Sequence, residues 1–131
     1  MQHEVTPTVE PRDALESDIA GLLSELTAVQ TDLLGVLTRK RSLLVAGDEA
    51  ALGAIATQEQ DLVLRLQACQ DRRQRLLAQA SDQGLPSDSI KSLSKSLPAG
   101  SRKRLRGELE EARERSRLLQ HECLTNWVLV Q

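Results

Sequence analysis

Between Leu15 and Leu43 the apolar residues fall four and three apart in turn: Leu15, Ile19, Leu22, Leu26, Val29, Leu33, Val36 and Leu43, with only Lys40 interrupting. That alternation stays close to the helical repeat and draws one apolar stripe along one helix face, the pattern of a coiled-coil seam. It predicts a helix from about Pro11 to Ala46. Gly47 can take the left-handed conformation that ends a helix, and Asp48 can cap a second one by accepting from its free N–H groups. The second helix, about residues 48–82, repeats the alternation in Leu52, Ile55, Glu59, Leu62, Leu66, Cys69, Arg73, Leu76 and Ala80.

In an antiparallel hairpin, residues of one layer have position numbers that add to a constant. Leu43 with Leu52, Val36 with Glu59, Leu33 with Leu62, Val29 with Leu66, Leu26 with Cys69, Ile19 with Leu76 and Leu15 with Ala80 all add to 95. The seams match over their whole length, roughly 50 Å at ~1.5 Å per residue, and the Gly47-Asp48 turn sets their register. Phe and Tyr are absent and Trp127 is the single aromatic residue, so Leu, Val, Ile and Ala must supply the core. The predicted fold is all-α: a long antiparallel helical hairpin with a third long helix, in a coiled-coil-like bundle.

The stretch QGLPSDSIKSLSKSLPAG, residues 83–100, breaks the pattern. Gly84 and Pro86 stop the second helix, and Pro98 with Gly100 precede the third. Between them, Ile90, Leu93 and Leu97 fit a short amphipathic helix over 87–97 with Ser87 as its cap; a flexible serine-rich linker fits as well. The third long helix is expected over 101–131, with Leu105, Leu109, Ala112, Leu119 and Cys123 turned to the hairpin and the charged stretch EEARERSRLLQHE facing solvent. Its end differs. Cys123, Leu124, Trp127, Val128, Leu129 and Val130 are apolar, and at about 100° per residue they surround the helix rather than forming a stripe. Such an end can face two things at once. Residues 1–10 read as a disordered tail and 11–131 as one helical domain.

Little in the sequence carries chemistry. The formal net charge of -2 gives no bulk attraction to nucleic acid or anionic lipid. The N-terminus lacks the basic start and apolar run of a signal peptide, and no 18 apolar residues run together, so a cytoplasmic protein without membrane insertion is expected. Cys69 and Cys123 have no CxxC spacing and read as small buried hydrophobes. His121-Glu122-Cys123 would need a histidine at position 125 for a zinc helix and has Thr125, so no metal, cofactor or catalytic residue is assigned. The cluster Arg102, Lys103, Arg104 and Arg106 reads as a solvated helix start rather than a phosphate site, although like charges are mildly unfavourable there. TDLLGVLTRKRSLL, residues 31–44, superficially resembles the first helix of helical chorismate mutases. In those a lysine lies eleven residues after the arginine on the same helix; here that count reaches Ala50 or Leu52, beyond Gly47, and the cationic pocket lacks a member.

Residues 39–77 resemble the FlgN-type flagellar export chaperones more closely. Their hairpin reads as an arginine, a short apolar run, Gly-Asp, a leucine four residues later, a glutamate on the second helix, and an arginine before Leu-Leu. Here those positions are Arg41, Leu43 to Val45, Gly47-Asp48, Leu52, Glu59, and Arg72 or Arg73 before Leu76-Leu77. The serine-rich link and the ending LTNWVLVQ also suit the family, whose members commonly continue further; the chain is therefore expected to stop within the third helix. The resemblance implies a cytoplasmic chaperone that binds the terminal helical segments of hook-associated flagellar proteins, prevents their premature association and delivers them to the type III export apparatus. On that reading the apolar end of the third helix is the expected client surface, with Leu124, Trp127, Val128 and Leu129 as the client-binding residues. A monomer or homodimer is expected, with hook-associated proteins and export-apparatus components as partners and no nucleic acid. The competing reading is a structural coiled-coil adaptor in which Lys40, Glu59 and Arg73, polar positions in the seams, set partner choice or oligomeric state.

Overall fold

The computed structural model describes residues 11–130, which form α1 (Pro11–Ala46), α2 (Glu49–Asp82), α3 (Ile90–Ser94) and α4 (Ala99–Val130). The expected tail, residues 1–10, lies outside the described residues. Proline suits the first position of α1, where its missing N–H would have no helical partner anyway. The helix closes on Gly47 at φ 70°: Asp48 N–H donates to Leu43 O at 3.1 Å and Gly47 N–H to Leu44 O at 3.2 Å. This paired arrangement satisfies the last carbonyls. Asp48 Oδ1 then accepts from Ala51 N–H at 3.1 Å, so one residue ends the turn and starts α2. Gly84, φ 73°, ends α2 in the same manner, and Leu85 donates to Ala80 O at 2.9 Å while its side chain packs on the core.

The cap of α3 is Ser89 rather than Ser87; its Oγ accepts from Ser92 N–H at 3.0 Å, and the helix is shorter than the expected 87–97. The extended backbone at Ser89 places the start at Ile90. The last long helix begins at Ala99, two residues before the expected start, because Pro98 O already accepts from Arg102 N–H at 3.0 Å.

Side-chain pairs define how the helices lie. Between α1 and α2, Lys40 meets Glu59 and Glu25 meets Arg65, so partners move apart in number with distance from the turn, as an antiparallel hairpin demands. Leu33 and Leu62 share one buried cluster, and Cys69 belongs to another on which Leu26 packs, in agreement with the constant sum. Between α1 and α4, Glu16 meets Arg104, Thr27 meets Arg115 and Leu37 meets Asn126; numbers rise together, and the two helices run parallel. Among the described residues α2 and α4 nowhere approach within 8 Å, Cα to Cα. α1 is thus the centre of a row, with α2 on one flank and α4 on the other, and α3 touches all three at one end.

That central position explains the composition of α1. Besides its seam toward α2 it buries Leu23, Gln30 and Leu37, seven apart, against α4. A segment within Asp13–Ala46 is apolar enough, at mean hydropathy 1.2, to cross a membrane by length and composition. Leu15, Ile19, Leu22, Leu23, Val29, Leu33, Val36 and Leu37 of this helix are instead core residues, which does not indicate a membrane protein.

Candidate functional site

The inward residues of α4 recur every seven positions: Leu105, Ala112, Leu119 and Asn126 are all buried. The expected contacts of Leu105, Ala112 and Leu119 with the hairpin are present, and Leu109 is half-buried beside them. Cys123 is a correction: it is exposed, because Asn126, three residues on, takes the inward place. Asn126 Nδ2 donates to Leu37 O at 3.1 Å. Its own Oδ1, and Oε2 of Glu122, find no partner among the described residues. Partial desolvation still raises the Cys123 thiol above its ordinary value, with repulsion from Glu59 adding to it and Lys40 opposing. Burial does the same for Cys69, assisted by Glu25. Neither thiol is activated as a thiolate.

The charged middle of α4 is exposed as expected at Glu110, Glu111, Arg113, Glu114 and Arg117, and Arg115 is the exception. Arg115, expected on a solvated face, reaches inward: Nη2 donates to Thr27 Oγ1 at 2.7 Å and Nε to Gln30 Oε1 at 3.0 Å. Gln30 completes the network by donating from Nε2 to Ser116 Oγ at 2.9 Å and to Ala112 O at 3.3 Å. Further along, Arg41 pairs with Glu122 at 3.3 Å. An arginine within a run of charges carries no signal for burial, so only the spacing of Leu23, Gln30 and Leu37 hinted at this second seam. Lys40, polar in the first seam, pairs with Glu59 at 2.9 Å within the same chain, while Arg73 stands exposed.

The proposed contact residues at the end of α4 are exposed: Leu124 61%, Trp127 59%, Val128 57% and Leu129 42%. With Asn126 pointing inward, an advance of about 100° per residue puts Trp127 about 100° round the helix, and Leu124 and Val128 about 160° and 200° round. Those three form one outward patch. Leu129 falls at about 300°, on the flank that carries Glu122, and is not brought together with them. Trp127 borders the side of Cys123, where an open groove runs between α2 and α4.

Away from α3 the floor of that groove is α1. One part, of about 630 Å³, is lined by Leu22, Leu26, Leu33, Leu66 and Leu119 among others; a contiguous part of about 840 Å³ continues past Ile90 and Leu109 to the start of α4. Arg102, Lys103 and Arg106 line the second part, so three of the four residues of the basic cluster edge a groove instead of a plain helix start. Arg104 points elsewhere and meets Glu16 at 2.7 Å. Among the described residues no group of three or more His, Cys, Asp or Glu stands close enough to hold a metal ion.

Comparison with known families assigns this architecture. The family described as FlgN protein has a model that matches residues 15–131. The chain belongs to the FlgN family. At the level of the family it is a flagellar export chaperone, a helical protein of flagellum biogenesis that binds other flagellar proteins and belongs to a chaperone family, not an enzyme family. No curated protein and no solved structure matches the chain.

Proposed function

We propose that this FlgN-family chain is a cytoplasmic chaperone for hook-associated flagellar proteins. It covers their terminal helical segments, which would otherwise associate prematurely, and delivers them to the type III export apparatus. It does so by binding alone, as a monomer or homodimer, without catalysis or cofactor. The contact surface is the end of α4, with Leu124, Trp127 and Val128 at its centre and Leu129 at its margin.

The observation that carries this reading is the exposure of those three side chains on one outward face, each more than half accessible. In a protein with one aromatic residue, leaving it in water forfeits the largest single apolar burial available. Exposed apolar area of this kind serves binding or else promotes aggregation. An amphipathic helix of a client can lay its apolar stripe on such a face, and a tryptophan with a flat ring and a single N–H donor is the residue type enriched at binding hot spots. Light scattering tests the reading. An equimolar amount of the full chain should suppress self-association of a hook-associated protein's isolated terminal segments; unchanged association at several-fold excess would contradict it.

A further inference from the structure

The groove between α2 and α4 has a charge that the rest of the molecule lacks. The chain carries a formal net charge of -2, yet around the α3 end of the groove stand Arg73 from α2, Lys91 and Lys95 from α3, and Arg102, Arg106 and Arg113 from α4, with Lys103 beside them. Glu110 is the single carboxylate among the lining residues. None of the seven basic residues pairs with a carboxylate within 4.0 Å among the described residues, whereas Arg41, Arg65 and Arg104 elsewhere all do. Beside this rim, in the contiguous part of the groove, the lining is mainly apolar. Leu26, Leu66 and Leu109 are half-buried there, each packed on the core from one side and open to the groove on the other.

The geometry favours a helix as occupant. α2 and α4 pack on the same central helix with no Cα pair between them within 8 Å among the described residues, so the open space is bounded by three helices and is missing its fourth side. From Arg102 to Cys123 the α4 wall extends about 32 Å at ~1.5 Å per residue, enough for a helix of about 20 residues. A helix satisfies its own backbone hydrogen bonds and can rest on leucines without stranding polar groups. An apolar leucine floor offers nothing for nucleic-acid bases, which need aromatic stacking or base-edge donors.

We propose that the groove between α2 and α4 is a second docking surface, for an amphipathic helix of another protein whose apolar stripe is flanked by carboxylates. The stripe rests on Leu26, Leu66 and Leu109, and the carboxylates meet Arg73, Arg102, Arg106 and Arg113 at the α3 end. This surface is distinct from the outward patch at Trp127, so a chaperone with both can hold two partners, and the inference stands whether or not the client assigned above is the right one.

The test uses the full chain and a labelled synthetic helical peptide of about 21 residues, with leucine at seam positions and glutamate flanking them, followed by fluorescence anisotropy. Controls are the same peptide with lysine for glutamate and a scrambled peptide of identical composition. The acidic amphipathic peptide should bind at least tenfold more tightly than either. Arg102→Glu/Arg106→Glu should weaken it at least tenfold with an unchanged circular-dichroism melt. Arg117→Glu, at a residue paired with Glu114 away from the groove, and Trp127→Ala should each leave it within about twofold. Equal binding of the scrambled peptide would reduce the surface to bulk charge and overturn the proposal. Tighter binding of a 20-nucleotide single strand would overturn it in favour of nucleic acid. A chain dimer that Arg102→Glu/Arg106→Glu dissociates would overturn it in favour of self-association.

Discussion

The two flanks of α1 are built differently. Against α2 the contact is a stripe of mainly leucine, valine and isoleucine, with one ion pair, Lys40 with Glu59, at seam positions and another, Glu25 with Arg65, at its margin. Against α4, buried amides enter the interface itself. Gln30 is 2% exposed and Asn126 4%, and each is held by specific hydrogen bonds rather than by shape. Apolar stripes can slide by one layer at modest cost, so the hairpin relies on the Gly47-Asp48 turn for its register. α4 is joined through a long connection and has no such turn. Its register comes from Gln30 and Arg115, whose donors and acceptors are satisfied in one alignment. Toward its end the satisfaction falters, with Asn126 Oδ1 and Glu122 Oε2 unpaired among the described residues, in the turns that expose Leu124 and Trp127.

The largest break in this comparison should come from the apolar side. Leu33, 4% exposed, shares its cluster with Leu62 of α2 and Leu119 of α4. Leu33→Ala should cost about 2 to 5 kcal/mol in denaturant unfolding through lost burial and the cavity left behind. A change within error would place Leu33 outside the core.

On the polar side, Gln30→Leu removes an amide and leaves Arg115 Nε half-buried without its acceptor, while Nη2 keeps Thr27 Oγ1, at a cost of about 1 to 3 kcal/mol. Adding Arg115→Leu should recover part of that loss, because no orphaned donor remains. A double-mutant cycle measures the coupling; strictly additive effects would mean the two side chains act independently.

The turn ranks next. Gly47 holds φ at 70°, so Gly47→Val should destabilise by roughly 1 to 2 kcal/mol while leaving client affinity per folded molecule unchanged. Lost affinity at unchanged stability would make the turn a recognition element. The smallest effect belongs to the exposed pair: Arg65→Ala should change stability by less than about 1 kcal/mol, and salt should erase the difference. A larger, salt-resistant loss would mean that the hairpin leans on its margin after all.

The same contrast explains what could be read from the sequence. The α1–α2 seam was legible because apolar periodicity is all it needs, and the turn because glycine and aspartate each answer a specific backbone requirement. The α4 interface was half legible: Leu105, Ala112 and Leu119 announced themselves, but Asn126, Gln30 and Arg115 are residue types that normally face water. Assigning Cys123 to the core followed from its place four residues after Leu119 on the face turned to the hairpin; a backbone carbonyl on α1 instead selects the amide of Asn126. The groove was invisible because it depends on the backbones of α2 and α4 staying more than 8 Å apart, Cα to Cα, a relation that neither helix encodes alone. Of the four residues suggested at the chain's apolar end, the spacing could place Leu124, Trp127 and Val128 together and Leu129 apart.

The central claim is that the outward face of α4 binds and does not close the fold, and Trp127→Ala tests it most directly. Calorimetric titration of that variant with the terminal helical segment of a hook-associated protein should show affinity weakened by about 2 kcal/mol, roughly thirtyfold, beside a melting curve for the free chain that moves far less. Lost stability with intact affinity would contradict the account and make Trp127 a packing residue.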